Sequence, residues 1–332
     1  MNVKDIVMVA SVITFVGCAT ERYDRVCRDS VIGNWSATLP YENMKACSLI
    51  FSRGTDGAPK AVVLWRWGSP VAVTDLRICG NRFSFTHSYG QRFEGQVQGD
   101  RMFARIAPYD VESGELKGAW QPFEGWRNPE IPCGVQTADA KLGEPIDLLK
   151  DGLDGWFPMK GQAGQVKSGW DCRNGILSNR VGGHDDIVKN GRVSGANLMS
   201  KRADFYDFNL EYDVRVPNGC NSGVYLRGRF EIQTVDSYGQ PVDEHNMAAY
   251  YGRVVPSVAA EKPAGEWQHV SVTLYRQHLT VVLNGTTIIE NAPVVGVTGG
   301  AIDANLYASG PIYLQGDHSD ADYKNMILRP AM

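Results

Sequence analysis

The chain has 332 residues, 43% hydrophobic and 21% charged, with a formal net charge of −4. That is a globular composition, and the length suits two domains. The mild negative charge argues against a nucleic-acid partner, which calls for a basic field. No run of about twenty apolar residues is present to span a bilayer as a helix. The 36 glycines recur between short alternating runs, the texture of an all-β protein with many turns.

Residues 1–17 read as an export signal, with Lys4 at the positive end and a short apolar run from Ile6 to Val16. Gly17-Cys18 follows, similar to the site at which bacterial lipoproteins are cut before a lipidated cysteine, although Phe15 stands where Leu is usual. The expectation is a lipid anchor at Cys18 and a place in the cell envelope, on the outer membrane facing the periplasm or the cell surface. Residues 18–30 form a charged tether. Six cysteines remain beyond Cys18: Cys27, Cys47, Cys79, Cys133, Cys172 and Cys220. An exported chain can pair them or bury them as thiols, and their spacing selects neither.

Residues 31–128 carry short strand candidates at Cys47–Phe51, Ala61–Trp67, Arg82–His87, Phe93–Val97 and Met102–Ile106. Turns at Cys79-Gly80-Asn81 and Gly99-Asp100 separate some of them. This pattern predicts a small β-barrel or β-sandwich. Trp65 and Trp67 share one strand face, which reads as core, with sugar stacking as the alternative. Residues 129–143, with Pro129, Pro132, Gly134 and Gly143, form a linker.

The second domain, 144–332, opens at Ile146-Asp147-Leu148-Leu149. Trp170–Ser178 reads as a hairpin with a turn at Asn174-Gly175. Phe208, Leu210, Tyr212, Val214 and Val216 alternate with polar residues, the pattern of a half-buried strand. Further alternation covers 270–274 and 279–283, and Asn284-Gly285 turns the chain into Thr286–Ile289. The last strands are Ile312–Gln315 and Tyr323–Leu328. Many antiparallel strands around a long insert, Ser237–Pro263, predict a two-sheet jelly roll.

The most informative stretch is Asn221–Asp236. Read as one strand, it places Val224, Leu226, Phe230 and Ile232 on one face and Tyr225, Arg227, Glu231 and Gln233 on the other. A phenol, a guanidinium, a carboxylate and an amide on one face suggest a polar floor under a ligand. A structural Arg227–Glu231 ion pair is the plainer alternative, and Gly228 marks the place for a bulge. His184 and His245 fall in loops without evident partners, and Trp267 reads as core.

Several motifs in this domain together resemble the 3-keto-disaccharide hydrolase domain family, a bacterial family formerly of unknown function. Leu148–Trp156 is similar to its opening and Asn221–Gln233 to its central signature. Tyr251-Gly252, Pro256-Ser257-Val258 and Pro263–Trp267 follow in family order. Gly310–His318 resembles the closing motif and Tyr323–Pro330 the terminal strand, so the resemblance covers about residues 145–332. The first domain resembles, more loosely, a β-rich module that precedes such domains. The resemblance implies a concanavalin- and laminarinase-like jelly roll acting on glycosides already oxidised to a ketone at carbon 3.

On the matched motifs, the resemblance implies Asn221, Tyr225, Gln233, Asp236 and Gln315 as substrate-binding candidates, and Tyr251, beside Tyr250 in the inserted loop, is a further candidate that could stack on a sugar. Glu231, His318 and Arg227 are the catalytic candidates, and Asp317 with His318 is a candidate divalent metal site. The family usually has Gly where Ser319 stands. Retaining glycosidases on this fold set two carboxylates about 5–5.5 Å apart along one strand. Here Glu231-x-Gln233-x-Val235 offers only one, which argues against ordinary double displacement. A 3-keto sugar needs a base for the carbon-2 hydrogen, a group for the enolate and a proton donor for the leaving oxygen. Glu231 or His318 fits the base, and Arg227, Gln233 or a metal fits the enolate. The other expectations are a non-catalytic carbohydrate-binding lipoprotein and a scaffold that binds through its first domain.

Overall fold

The computed structural model describes residues 30–42, 44–159, 168–181 and 195–332. The expected export signal, the Cys18 anchor, nearly all of the tether, Cys27 and His184 lie outside those residues. Cys47, Cys133, Cys172 and Cys220 are free thiols.

The expected strands of the small domain are present, with others at Gly33–Thr38 and Gln121–Arg127. They form one ten-stranded antiparallel sheet. Its core is built from alternate residues such as Leu49, Phe51, Val63, Phe83, Phe85 and Phe93. Phe51 and Phe83 sit 5.0 Å apart between ring centres, although several strands separate theirs in the sheet. The sheet therefore curls on itself to enclose its own apolar face.

The second domain is a two-sheet jelly roll. One sheet has eight strands and includes Phe208–Arg215, Gln268–Tyr275, His278–Leu283 and Ala321–Pro330. The other has five: β1 (Trp156–Met159), β2 (Asn197–Ser200), β3 (Asn221–Leu226), β4 (Phe230–Val235) and β5 (Tyr313–Leu314). Their spatial order is β1-β2-β5-β3-β4. Val224, Leu226, Phe230 and Ile232 turn inward, fully buried against Leu210, Tyr212 and Val272 of the facing sheet. Burial of this kind contributes roughly 1.5–3 kcal/mol per large apolar side chain and fixes which face of β3 and β4 points outward.

Asn221–Asp236 is a hairpin rather than the single strand expected from its alternation. Arg227 and Gly228, both left-handed at φ 52° and 67°, turn the chain. Gly228 N–H donates to Tyr225 O and Arg229 N–H to Leu226 O. Tyr225 now lies across from Glu231, and Val224 from Ile232. An odd-numbered loop preserves the side-chain parity, so the two faces are those expected although the chain reverses. Arg227 leaves the face in consequence.

The two domains share a seam. Ala46 and Leu64 of the small sheet belong to the jelly-roll core. Gly300 N–H donates to Arg66 O at 2.8 Å, and Ser69 Oγ lies 2.6 Å from His245 Nε2. Residues 129–143 are strapped to the jelly roll. Thr137 N–H donates to Asn291 Oδ1, and Asn291 Nδ2 donates to Val135 O. A Cβ at position 299 would run into the Gly68 backbone. Gly299→Ala should therefore cost roughly 1–3 kcal/mol by overpacking, read as a lowered midpoint in thermal unfolding. An unchanged midpoint would show that the seam is not packed this closely.

Candidate active site

The outward face of β3, β4 and β5 is the floor of a cleft. Tyr225 pairs with Glu231 on one side and Tyr313 on the other. The two phenol rings stack at 4.4 Å, 20° from parallel. Tyr225 Oη lies 2.8 Å from Glu231 Oε2 and 2.8 Å from Gly299 O. A hydroxyl has one proton to give. Both contacts are satisfied when Glu231 is protonated and donates to Tyr225, which then donates to Gly299. Across the hairpin, Gly223 leaves the space that the carboxyl occupies, and a Cβ there would collide with Glu231 Oε1.

Glu231 is 3% exposed. Burial pushes its carboxyl up to about 8, the charge of Asp317 adds to the push, and the Tyr225 hydrogen bond opposes both. Burial also drives the Tyr225 and Tyr313 phenols well above their usual range, Tyr225 with help from Glu231 and Tyr313 from Asp317. At neutral pH the floor is therefore an uncharged acid flanked by phenols.

The loop after β5 brings the second group of side chains. His318 Nδ1 lies 2.7 Å from Asp317 Oδ1, with the Asp317 side chain 2% exposed and that of His318 27%. The carboxylate behind the ring fixes the proton on Nδ1 and leaves Nε2 to the cleft. Asn197 Oδ1 accepts from the backbone of Gly316 and Asp317. Asn179 Nδ2 donates to Gly316 O and Ser319 O. Ser319, standing where the family usually has Gly, is fully buried. Its hydroxyl donates to Asn221 O and accepts from Asn221 N–H, tying the loop to β3.

Among the sequence candidates, Asn221, Tyr225, Glu231, Tyr251, Gln315 and His318 all line this one cleft, with Asp317 directly behind His318. The cleft is shallow and open to solvent at its mouth. Asn221 Oδ1 and Gln315 Oε1 are buried without a hydrogen-bond partner. Two orphaned acceptors at a cleft are what a hydroxyl-rich ligand would satisfy.

Three candidates stand elsewhere. Arg227 is fully buried beyond the turn, where it donates to Gln277 Oε1 and lies over the Tyr206 and Phe230 rings. Gln233 is covered by the inserted segment, whose Ala248 and Ala249 backbones pair with its own. Asp236 lies past the end of β4 and accepts from Gly219 N–H and Asn218 Nδ2. Sequence reasoning passed over Tyr313, although it shares a strand face with Gln315 at period two. It also passed over the Gly299-Gly300 wall and the rim residues Met44 and Gly68 of the small domain, whose Trp67 was read as core with sugar stacking as the alternative. His245, read as a lone loop histidine, stands edge-on to Tyr251 at the domain seam. For the divalent metal expected at Asp317 and His318 the fit is poor. Asp317 Oδ1 is engaged by His318, and among the described residues no group of three or more His, Cys, Asp or Glu is placed to hold a metal ion.

No curated protein matches the chain. Among solved structures, it is similar to a candidate glycosyl hydrolase from Parabacteroides distasonis at 22% identity. That match covers 68% of this chain and 98% of the other, with a TM-score of 0.44. A carbohydrate-binding module from Bacillus subtilis aligns at 14% identity over 53% of this chain and 95% of its own, with a TM-score of 0.32. Residues 145–329 match the family described as the 3-keto-alpha-glucoside-1,2-lyase-like domain, the family whose motifs the sequence resembles. The chain belongs to that family of carbohydrate-processing proteins.

Proposed function

We propose that the chain cleaves 3-keto-glycosides by elimination, with His318 as the base and Glu231 as the proton donor. His318 Nε2 takes the carbon-2 hydrogen as a proton, and the electron pair moves onto the carbon-3 carbonyl to form an enolate. The enolate collapses, a carbon 1–carbon 2 double bond forms, and the glycosidic oxygen leaves carbon 1 with the Glu231 proton. Water then adds across the double bond and gives the free 3-keto sugar.

The observation that carries this reading is the placement of the buried Glu231 carboxyl and the Asp-backed His318 in one cleft, where burial raises the carboxyl's pKa. Two titratable groups in contrasting environments are what acid–base division of labour requires. Asn221 and Gln315 supply acceptors for ring hydroxyls. A second hollow shares Met44, Gly300 and Tyr313 with the cleft and adds Glu42 and Asn197, leaving room for the departing sugar of a disaccharide. The carboxylate pair of a retaining glycosidase has no counterpart on β4, where Glu231 is followed by Gln233 and Val235. We also propose that the chain is exported and anchored through Cys18.

The test is turnover of native and 3-oxidised disaccharides. Glu231→Gln and His318→Ala should each lower turnover of the oxidised sugar by about 10²-fold or more, while Tyr225→Phe costs less. With Glu231 as donor, activity is lost as pH rises through about 8. Activity that rises through that pH would make Glu231 the base instead. Binding without turnover would favour a carbohydrate-binding module.

A second outcome is thermodynamic. The folded carboxyl keeps its proton up to about 8, whereas the unfolded one loses it near 4.5. Native stability therefore falls as pH rises across that window. Glu231→Gln has no proton to lose, so its melting temperature relative to the parent should climb between pH 5 and pH 9. A constant difference would place the Glu231 carboxyl in its ordinary range. Finally, mass spectrometry of the mature amino terminus should find acylated Cys18, and an unmodified Cys18 would refute the anchor.

A further inference from the structure

The small domain's contribution to the cleft is confined to one rim, and that rim is built under strain. Met44 and Arg66 are both left-handed, at φ 46° and 67°, although neither is glycine. Trp67 N–H donates back to Trp65 O, so the chain leaves its strand through a three-residue turn centred on Arg66. Residues held in such conformations persist only where their surroundings over-determine them. Arg66 meets that condition. Its Nε donates to Met44 O, its guanidinium lies 3.9 Å from the Tyr41 ring and 4.5 Å from the Trp67 ring, and its carbonyl accepts from Gly300 N–H across the seam. The turn ends the alternation of its strand and sets Trp67, half-buried, in the cleft with Glu231 and His318.

We propose that the small domain is a working wall of this cleft and that Trp67 is the platform on which the sugar ring stacks. An indole combines an apolar face with large area, which suits the face of a pyranose whose C–H bonds point axially. Rigid support from Arg66 and Met44 is what a preorganised site needs. Trp67 thus acts in specificity, through binding, and the small domain is required for recognition rather than only for export or spacing. The inference rests on the sugar-cleaving role proposed above.

The experiment is steady-state kinetics on a 3-keto-disaccharide with the full chain and its Trp67→Ala, Trp67→Phe and Trp120→Ala variants, each checked by melting temperature. Trp120 belongs to the same domain but does not line the cleft. Trp67→Ala should raise KM by about tenfold with kcat within about threefold of the parent. Trp67→Phe should recover part of the loss, and Trp120→Ala should match the parent. Unchanged KM in both Trp67 variants overturns the proposal, as does an equal rise in Trp120→Ala. If the parent turns over no 3-keto sugar, the reaction proposed above falls by itself. The wall is then decided by quenching of tryptophan fluorescence on adding native and oxidised disaccharide. Quenching in the parent that disappears in Trp67→Phe upholds it, and equal quenching or none in both overturns it.

Discussion

A carboxyl group sealed into a β-sheet is unstable as an anion, and the site is arranged around that constraint. Desolvation raises the free energy of charged Glu231 more than a single phenol hydrogen bond can lower it. The group therefore resides in the cleft as an acid. Its proton completes the chain from Glu231 through Tyr225 to the Gly299 carbonyl. The bare backbone at Gly223 makes room for the carboxyl, and the stacked Tyr313 closes the floor on the other side. Rigidity comes from below, where the opposite faces of β3 and β4 are packed without exposure into the jelly-roll core.

The second constraint is how a histidine on a loop can be held as firmly as a residue on a strand. Here the loop is pinned by side-chain hydrogen bonds with Asn179 and Asn197 and by the Ser319 hydroxyl, which ties it to Asn221 of β3. Ser319 replaces conformational freedom with an anchor, so the departure from the family's usual Gly adds a tie. Asp317, buried behind the ring, links the two halves of the site. It orients His318 and its charge helps keep Glu231 protonated. A substitution at Asp317 therefore acts on both groups at once, and its effects would not add to those of either alone.

Much of this was legible in the sequence. Period-two alternation marked the two faces of Asn221–Asp236 correctly, because the Arg227–Arg229 loop keeps parity even as the chain reverses. The motifs after it named Tyr251, Gln315 and His318, all of which reach the cleft. Arg227 misled because alternation counts positions without recording the turn that removes a residue from its face. Gln233 and Asp236 kept their strand positions but were covered or capped by segments that alternation cannot place. The rim at Met44 and Trp67 was the least legible part. It depends on contact between residues far apart in the chain, and on a left-handed Arg66 that no composition rule marks. Trp67 fitted an ordinary core pattern until the strand ended one residue before Arg66.

Glu231 also separates this site from a retaining glycosidase, in which one carboxylate must be charged and attack carbon 1. A buried acid beside an Asp-backed histidine suits proton movement instead. The central claim is that Glu231 is protonated at neutral pH, and a carbon-13 NMR titration of glutamate-labelled protein tests it most directly. The Glu231 side-chain carboxyl signal is assigned by its loss in Glu231→Gln. The account predicts a titration midpoint near 8. A midpoint near the ordinary 4.5 would contradict it, because Glu231 would then be a carboxylate throughout the neutral range and unable to serve as the donor.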